Sequence, residues 1–236
     1  MYTDIHSHIL PGVDDGPKNY EEAFELLKLS ALDGVKNIIA TPHFYASLHV
    51  LEEQLQLVSS TFEEFANRVK DEFPQINFYL GVEVRYFDGI SRCDSLELLC
   101  IKNTRTLLLE LGYEPITDKI VSEITELYYN GFNVILAHLE RYYKIKGFSK
   151  LKSLLENGFA KAQLTSSSFL ERRISRVAVK LLKGGYIHFI ASDMHSADTR
   201  PPKLKEAFTF IENTFGKELS EELIQNSFEL IESMSK

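Results

Sequence analysis

The chain has 236 residues, 44% of them hydrophobic and 25% charged, a balance that allows a sizeable buried core in a globular protein. Its net charge of -8 leaves no basic surface for a nucleic acid backbone, and no run approaches the roughly 18 apolar residues that cross a bilayer. Two cysteines, Cys93 and Cys100, are too few for a disulfide framework, and no basic stretch leads into an apolar leader, so reduced thiols and a cytoplasmic location are expected.

The opening apolar run, Tyr2 to Ile5, reads as a strand and passes into His6-Ser7-His8, whose imidazoles share one side of an extended backbone. Leu10 to Pro17 is dense in turn formers and carries two acids, so it is predicted to loop over the end of that strand. Asn19 caps a helix with Ala23, Phe24, Leu27 and Ala31 at helical spacing, and Gly34 stops it. A second strand over Lys36 to Ala40 ends in Thr41-Pro42-His43, and a long helix from Leu51 to Phe73 leads through Pro74 to a third, Asn77 to Val82, ending in Glu83. Arg105 to Leu109 is a fourth strand ending in Glu110. Thr117 caps a helix that Gly131 stops, and Asn133 to Ala137 is a fifth strand ending in His138. A helix from Lys150 to Asn157 precedes the sixth strand, Lys161 to Thr165, and a helix from Phe169 to Lys183 precedes the seventh, Tyr186 to Ala191, ending in Ser192-Asp193-Met194-His195. Two helices, Lys203 to Thr214 and Leu219 to Ser233, close the chain.

Alternating strands and helices predict a parallel sheet with right-handed crossovers. Runs such as Val134-Ile135-Leu136-Ala137 lack polar alternation, as expected of strands buried on both faces. Seven such units suit an α/β barrel of the TIM type or an open doubly wound sheet. The polar residues favour the barrel, because a potential ligand ends six of the seven strands, and only in a barrel do all those ends surround one pocket. Residues 1–236 are read as a single domain, since no linker or low-complexity segment divides them.

The candidates are His6, His8, Asp15, His43, Glu83, Glu110, His138, Asp193 and His195. A single strand-end carboxylate is usually a salt-bridge or cap partner. Nine ionisable groups ending apolar strands would together cost several kcal/mol per unpaired charge unless cations neutralised them. A mixed imidazole and carboxylate set without thiolate suits Mn, Fe or Zn better than Mg or Ca, and nine donors exceed the need of one ion, so two or three are expected. Closely spaced ions activate water near neutral pH and clamp the attacking and leaving oxygens of phosphoryl transfer. Arg141, three residues after His138, and Arg200, five after His195, are candidates to bind phosphate oxygens. His49 and His188 are left out of the set. A cysteine phosphatase loop needs Arg six residues after Cys, but Leu99 and Thr106 stand at those positions, so a metal-bound hydroxide is the expected nucleophile rather than a thiolate.

Taken in order, HxH (His6, His8), LPGVDDGP (Leu10 to Pro17), ATPH (Ala40 to His43), GVE (Gly81 to Glu83), LLLEL (Leu107 to Leu111), AHxER (Ala137 to Arg141), QLTSSS (Gln163 to Ser168) and SDMH (Ser192 to His195) resemble the PHP superfamily, named for polymerase and histidinol phosphatase. Within it the motifs look like those of the bacterial CpsB/YwqE-type protein-tyrosine phosphatases of capsule and exopolysaccharide loci. The resemblance implies a distorted seven-stranded (β/α) barrel holding a trinuclear site that usually prefers Mn2+. It implies one ion on His6, His8, Glu83 and Asp193, a second on Glu83, Glu110 and His138, and a third on Asp15, His43 and His195, with Arg141 and Arg200 gripping the phosphate. The implied substrate is phosphotyrosine on the tail of a membrane-associated bacterial tyrosine autokinase. One departure is Leu139, where the family motif usually has Pro. The competing expectations are a small-molecule phosphomonoesterase of the histidinol-phosphate type and, more remotely, a non-catalytic metal-binding scaffold.

Overall fold

The computed structural model describes residues 1–234. In chain order its elements are β1 (Tyr2–Ser7), α1 (Tyr20–Asp33), β2 (Val35–Ala40), β3 (His43–Phe44), α2 (Leu51–Glu72), β4 (Asn77–Leu80), β5 (Glu83–Arg85) and β6 (Thr106–Glu110), followed by α3 (Asp118–Tyr129), β7 (Asn133–Leu136), α4 (Phe148–Glu156), β8 (Lys161–Thr165), α5 (Arg172–Lys183), β9 (Phe189–Ala191), α6 (Leu204–Phe215) and α7 (Lys217–Ser233). The expected caps form: Asn19 accepts a hydrogen bond from Glu22 N, Thr117 accepts one from Ile120 N, and Gly34 ends α1 in the left-handed region at φ 86°.

Every strand pairing is parallel, in the orders β1-β2-β4 and β3-β5-β6-β7-β8-β9. The second predicted strand forms whole and the third ends two residues early, and each is followed by a further short strand, β3 after Thr41-Pro42 and β5 after Gly81-Val82. Pro42 has no amide hydrogen to give a ladder. The chain keeps its register across the gap, since Gly81 N donates to Ala40 O at 2.8 Å and Glu83 N donates to Pro42 O at 3.1 Å. At the other edge His8 N donates to Met194 O and Asp193 N to His6 O, each at 2.9 Å, so the curled sheet brings the end of β1 against the turn that follows β9.

Successive residues within a strand face opposite sides, which is how one apolar run serves two cores. Leu107, Leu109, Val134 and Leu136 pack outward against the helices, while Leu108 and Ile135 join Ile5, Ile39, Ala191 and the α7 residues Leu230 and Ile231 inside the curl. The last predicted strand is shorter than expected, covering only Phe189–Ala191, and the helix predicted from Phe169 begins at Arg172 after a short 3-10 turn over Ser166–Phe169. All strands run the same way, so their carboxyl ends gather at one end of the wall.

Candidate metal centre

Glu83, at the start of β5 and fully buried, is the hub. Its Oε2 lies 3.3 Å from His6 Nε2, 3.1 Å from His8 Nε2 and 2.9 Å from His43 Nδ1, and its Oε1 lies 2.9 Å from His138 Nε2. Asp193 Oδ1 stands 3.6 Å from His6 Nε2 and 3.5 Å from His8 Nε2, and Glu110 Oε1 stands 3.5 Å from His138 Nε2. On the solvent side, Asp15 Oδ1 is 3.3 Å from His195 Nε2 and 3.5 Å from His43 Nε2. All nine predicted donors therefore meet at the carboxyl ends of the strands. Eight of them fall into overlapping groups of metal-ligand size, namely His8, Asp15, His43 and His195; His6, His8 and Asp193; and His43, Glu83 and Glu110, while His138 adjoins the last through Glu83 and Glu110.

Four of the five histidine rings are backed at Nδ1. A histidine that binds a metal through Nε2 carries its proton on Nδ1 and gives it to an acceptor that fixes the ring. His8 Nδ1 faces Asp14 Oδ2 at 2.7 Å, His6 Nδ1 faces Gln163 Oε1 at 3.3 Å, and His195 Nδ1 faces the Asp193 carbonyl at 2.9 Å. Gln163 Oε1 also accepts His138 N at 2.8 Å, which identifies it as the amide oxygen. The Tyr142 hydroxyl accepts Leu111 N at 3.0 Å and lies 3.2 Å from His138 Nδ1. In four of the five rings Nδ1 is thus engaged at the back and the Nε2 lone pair points to the centre.

The fit to divalent cations follows from the charge balance and from the orphaned atoms. His43 Nδ1, Glu83 Oε2 and His195 Nε2 are buried yet lack a hydrogen bond of acceptable geometry, and His6 Nε2 and His8 Nε2 approach to 3.1 Å. These atoms share a space rather than bond to one another. Burial opposes charge on Glu83, but the facing imidazoles outweigh it and hold its carboxyl well below the usual range. Burial likewise opposes the His8 imidazolium, yet Asp14 and Glu83 raise its pKa to about 10. The carboxylates thus call for positive charge, which bound cations supply while leaving the rings neutral.

Arg141 and Arg200 converge on Asp193. Both guanidinium groups pair with its Oδ2, Arg200 at 2.6 Å, and Arg141 also lies 3.9 Å from Glu110. Arg200 sits in a tight turn in which its carbonyl accepts His195 N at 3.0 Å, so the arginine and the histidine are positioned together. His138 and Asp193 adopt positive φ, 34° and 52°, two of the three non-glycine residues that do so among those described. Such conformations persist only where the surroundings enforce them, and here they turn the side chains out of their strands.

Asp14, Gln163 and Tyr142 were not singled out by the sequence as ring-holding partners, nor was Asp4. Asp4 is fully buried, accepts Ser192 N at 2.9 Å together with the Ser192 hydroxyl, and has its carboxyl pushed up to about 6 by burial. Only Asp14 had a sequence signal, its place beside Asp15 in the turn. His49 and His188 stay outside the donor groups; each Nδ1 faces a backbone amide, Tyr45 N at 3.2 Å and Ala162 N at 3.3 Å.

A family model described as capsular polysaccharide synthesis, CpsB/CapC, matches residues 2–232. The chain is 36% identical to the putative tyrosine-protein phosphatase CapC of Staphylococcus aureus, covering 87% of this chain and 81% of that one. It is 29% identical to the tyrosine-protein phosphatase CpsB of Streptococcus agalactiae serotype III, covering 98% of each. Among solved structures it superposes with a TM-score of 0.87, at 26% identity and over 98% of this chain and 94% of the other, on a structure described as YwqE from Bacillus subtilis and CpsB from Streptococcus pneumoniae, unique metal-dependent tyrosine phosphatases.

Proposed function

The chain belongs to the CpsB/CapC family of capsular polysaccharide synthesis, and from that premise we propose that it is a metal-dependent protein-tyrosine phosphatase. The observation that carries the reading is that His6, His8 and His138, each engaged behind at Nδ1, turn Nε2 to Glu83, with His195 turned to Asp15, beside two arginines. In this reading His6, His8, Glu83 and Asp193 hold one cation, Glu83, Glu110 and His138 a second, and Asp15, His43 and His195 a third. Mn2+ is the preferred ion, with Fe and Zn compatible with the same donors. When bound, such a cluster supplies Lewis acidity that activates water and offsets phosphoryl charge.

The chain's own residues do the rest. Arg141 and Arg200 exchange their contact with Asp193 Oδ2 for the phosphoryl oxygens, which need the same planar fork of donors. Asp193 keeps both guanidinium groups charged and aimed until substrate arrives. Glu83, shielded from solvent, stays ionised among the imidazoles and does not compete for protons during turnover. The phenolate leaving group has a pKa near 10, so its departure asks little of a general acid.

We read the architecture as a distorted seven-staved barrel: β2 with β3 and β4 with β5 form two interrupted staves, and the β1 contact with the turn after β9 closes the ring. The whole chain acts as one domain. The physiological substrate is the phosphotyrosine tail of a membrane-associated tyrosine kinase of polysaccharide export, met in the cytoplasm; among the described residues no helix is long and apolar enough to cross a membrane.

The test is initial-rate hydrolysis of a phosphotyrosine peptide and of histidinol phosphate by chelator-stripped protein, with and without Mn2+. Mn-dependent turnover favouring the peptide is expected. Full activity without metal, or turnover of the metabolite alone, refutes the reading.

A further inference from the structure

The net charge of -8 conceals an uneven distribution. Residues 141–183 hold eleven of the chain's 26 lysines and arginines but two of its 34 acids, so this stretch carries +9 and the remainder -17. It forms one sector of the fold. The turn after β7, then α4, β8 and α5, follow one another round the wall, and Lys180 Nζ on α5 lies 5.8 Å over the Tyr143 ring in that turn. Lys150 pairs with Asp118, but Lys144, Lys146, Lys161, Lys180 and Lys183 are exposed and make no ion pair among the described residues. Unpaired like charges on one face repel one another and add nothing to the fold, so they mark a surface that meets negative charge. The sector borders the metal centre. A cavity of about 630 Å3, within the range of about 300–1,000 Å3 typical of small-molecule clefts, is lined by Asp193, Arg141 and Arg200 and also by Lys144 and Lys203. Tyr143, on which Lys180 rests, borders it too, and Leu170, Ile174 and Val177 give it an apolar wall. Of its acids, Asp193 is taken by both arginines, and Glu140 is turned inward, one oxygen accepting Thr165 N at 3.3 Å and the other buried. That leaves Glu171 to face these cations.

We propose that this basic sector binds acidic residues flanking the phosphotyrosine, so that the enzyme prefers a phosphotyrosine set in an acidic stretch of polypeptide. The inference rests on the phosphatase reading of the neighbouring site. A phosphoryl group held by Arg141 and Arg200 fills only part of the cavity, and an extended chain advances about 3.3–3.6 Å per residue, so the side chains next along the peptide meet the cations that line the rest. The -17 carried by the remainder repels an acidic chain, which fixes the side on which it lies. A polypeptide suits this surface better than a bilayer does. The cavity is concave, and among the described residues the sector strongly exposes one large apolar side chain, Leu170 at 41%, where an interfacial helix needs a whole apolar face.

The test compares kcat/KM for phosphotyrosine peptides that differ only in their flanking residues, all Glu, all Gln or all Lys, with Mn-loaded enzyme at low and at physiological ionic strength. The Glu peptide is expected to exceed the Gln peptide about tenfold and the Lys peptide by more, chiefly through KM, and added salt should shrink the preference. A triple variant, Lys144→Gln, Lys180→Gln and Lys203→Gln, should cut the Glu-to-Gln ratio about threefold to tenfold, the worth of a few rim ion pairs. Lys28→Gln, Lys70→Gln and Lys102→Gln together remove the same charge from exposed positions outside the sector and should leave the ratio where it was. An equal fall in that control, an unchanged ratio in the first triple variant at wild-type melting temperature, or equal kcat/KM for the three peptides overturns the inference. Equal kcat/KM together with sedimentation on phosphatidylglycerol vesicles, or with binding of a single-stranded DNA oligomer, that the first triple variant abolishes would assign the sector to a membrane or a nucleic acid instead. Failure of the wild-type enzyme to hydrolyse any of the peptides or phenyl phosphate would overturn the phosphatase reading itself.

Discussion

Asp14 and Asp15 are adjacent acids with different partners, and replacing each by asparagine separates their roles. Asp14 Oδ2 faces His8 Nδ1 at 2.7 Å and accepts His43 N at 3.1 Å, while Oδ1 accepts Gly16 N at 3.0 Å. Asparagine offers one acceptor oxygen where aspartate offers two, so in either orientation of the amide at least one of these donors faces an NH2 group. If that donor is His8, the ring changes tautomer and its Nε2 turns from lone pair to N–H, pointing a proton at Glu83 Oε2. A charge-assisted hydrogen bond of this kind is worth about 1.5–3 kcal/mol, which corresponds to roughly 10- to 100-fold in affinity. Loss of a partner behind a metal-binding histidine costs a similar factor, about 10- to 100-fold. Asp14→Asn should therefore raise the Mn2+ concentration for half-maximal phosphotyrosine-peptide hydrolysis by about one to two decades, with the maximal rate recovered at saturating metal. Asp15→Asn removes an oxygen that faces His43 and His195 directly, so its lower maximal rate should not return with added Mn2+. The assay is initial rate against free Mn2+ in chelator-stripped protein. A wild-type Mn2+ curve for Asp14→Asn, or a loss of maximal rate in Asp14→Asn but not in Asp15→Asn, would refute this division of labour.

Tyr142→Phe strips the acceptor from two buried donors, Leu111 N and His138 Nδ1, and at about 1 kcal/mol or more for each the melting temperature should fall by about 4–8 °C, as read by calorimetry. An unchanged transition would mean that the hydroxyl does not hold the ring. Asp4 has its folded pKa raised to about 6 against an ordinary 3.8, so its contribution to stability is fully present below pH 3.8 and is lost as pH rises through about 6. The shift corresponds to roughly 3 kcal/mol at most, so Asp4→Asn in stripped protein should gain stability relative to wild type as pH rises from 4 to 7; parallel melting curves at both ends of that range would contradict the assignment. Burial pushes the Cys100 thiol up to about 12, and a thiol takes no part in the proposed chemistry, so iodoacetamide at neutral pH should leave hydrolysis intact. Stoichiometric inactivation would show that a thiolate matters after all.

Apart from Asp15, which stands in the turn after β1, the donors were legible because they follow an apolar run at the place where a strand must end. Glu83 after Asn77 to Val82 and His138 after Val134 to Ala137 have no reason to stand there unless the strand ends face a common polar space. The second layer left no such trace. Gln163 lies inside β8 and reads as an ordinary polar residue of a strand; that its oxygen serves both His6 and the amide of His138 depends on contacts 157 and 25 residues away. Tyr142 looked like a packing aromatic because one of its hydroxyl partners, Leu111 N, comes from the end of β6, which only the folded wall brings close. The strand breaks were hidden for a related reason. Pro42 appeared as punctuation after a strand and Gly81 as part of one, whereas the chain leaves the ladder at both and the register runs on past them to place His43 opposite Glu83.

The backbone at the site shows why these residues could not be swapped along the strands without loss. His138 and Asp193 each follow an apolar strand and each turn into positive φ, so neither side chain continues the in-and-out alternation of its strand. The cost of that conformation, of order 1–3 kcal/mol apiece, is offset by contacts already present: Gln163 holds His138 N, and His6 O holds Asp193 N at 2.9 Å. Both of those anchors belong to the site or touch it, since Gln163 also backs His6, and His6 is itself a donor. The strain at His138 is therefore borne by the same Gln163 oxygen that backs the His6 ring, and that at Asp193 by the main chain of His6. A substitution at Gln163 should relax the turn at His138 and release the His6 ring together, coupling two rings that lie on different strands.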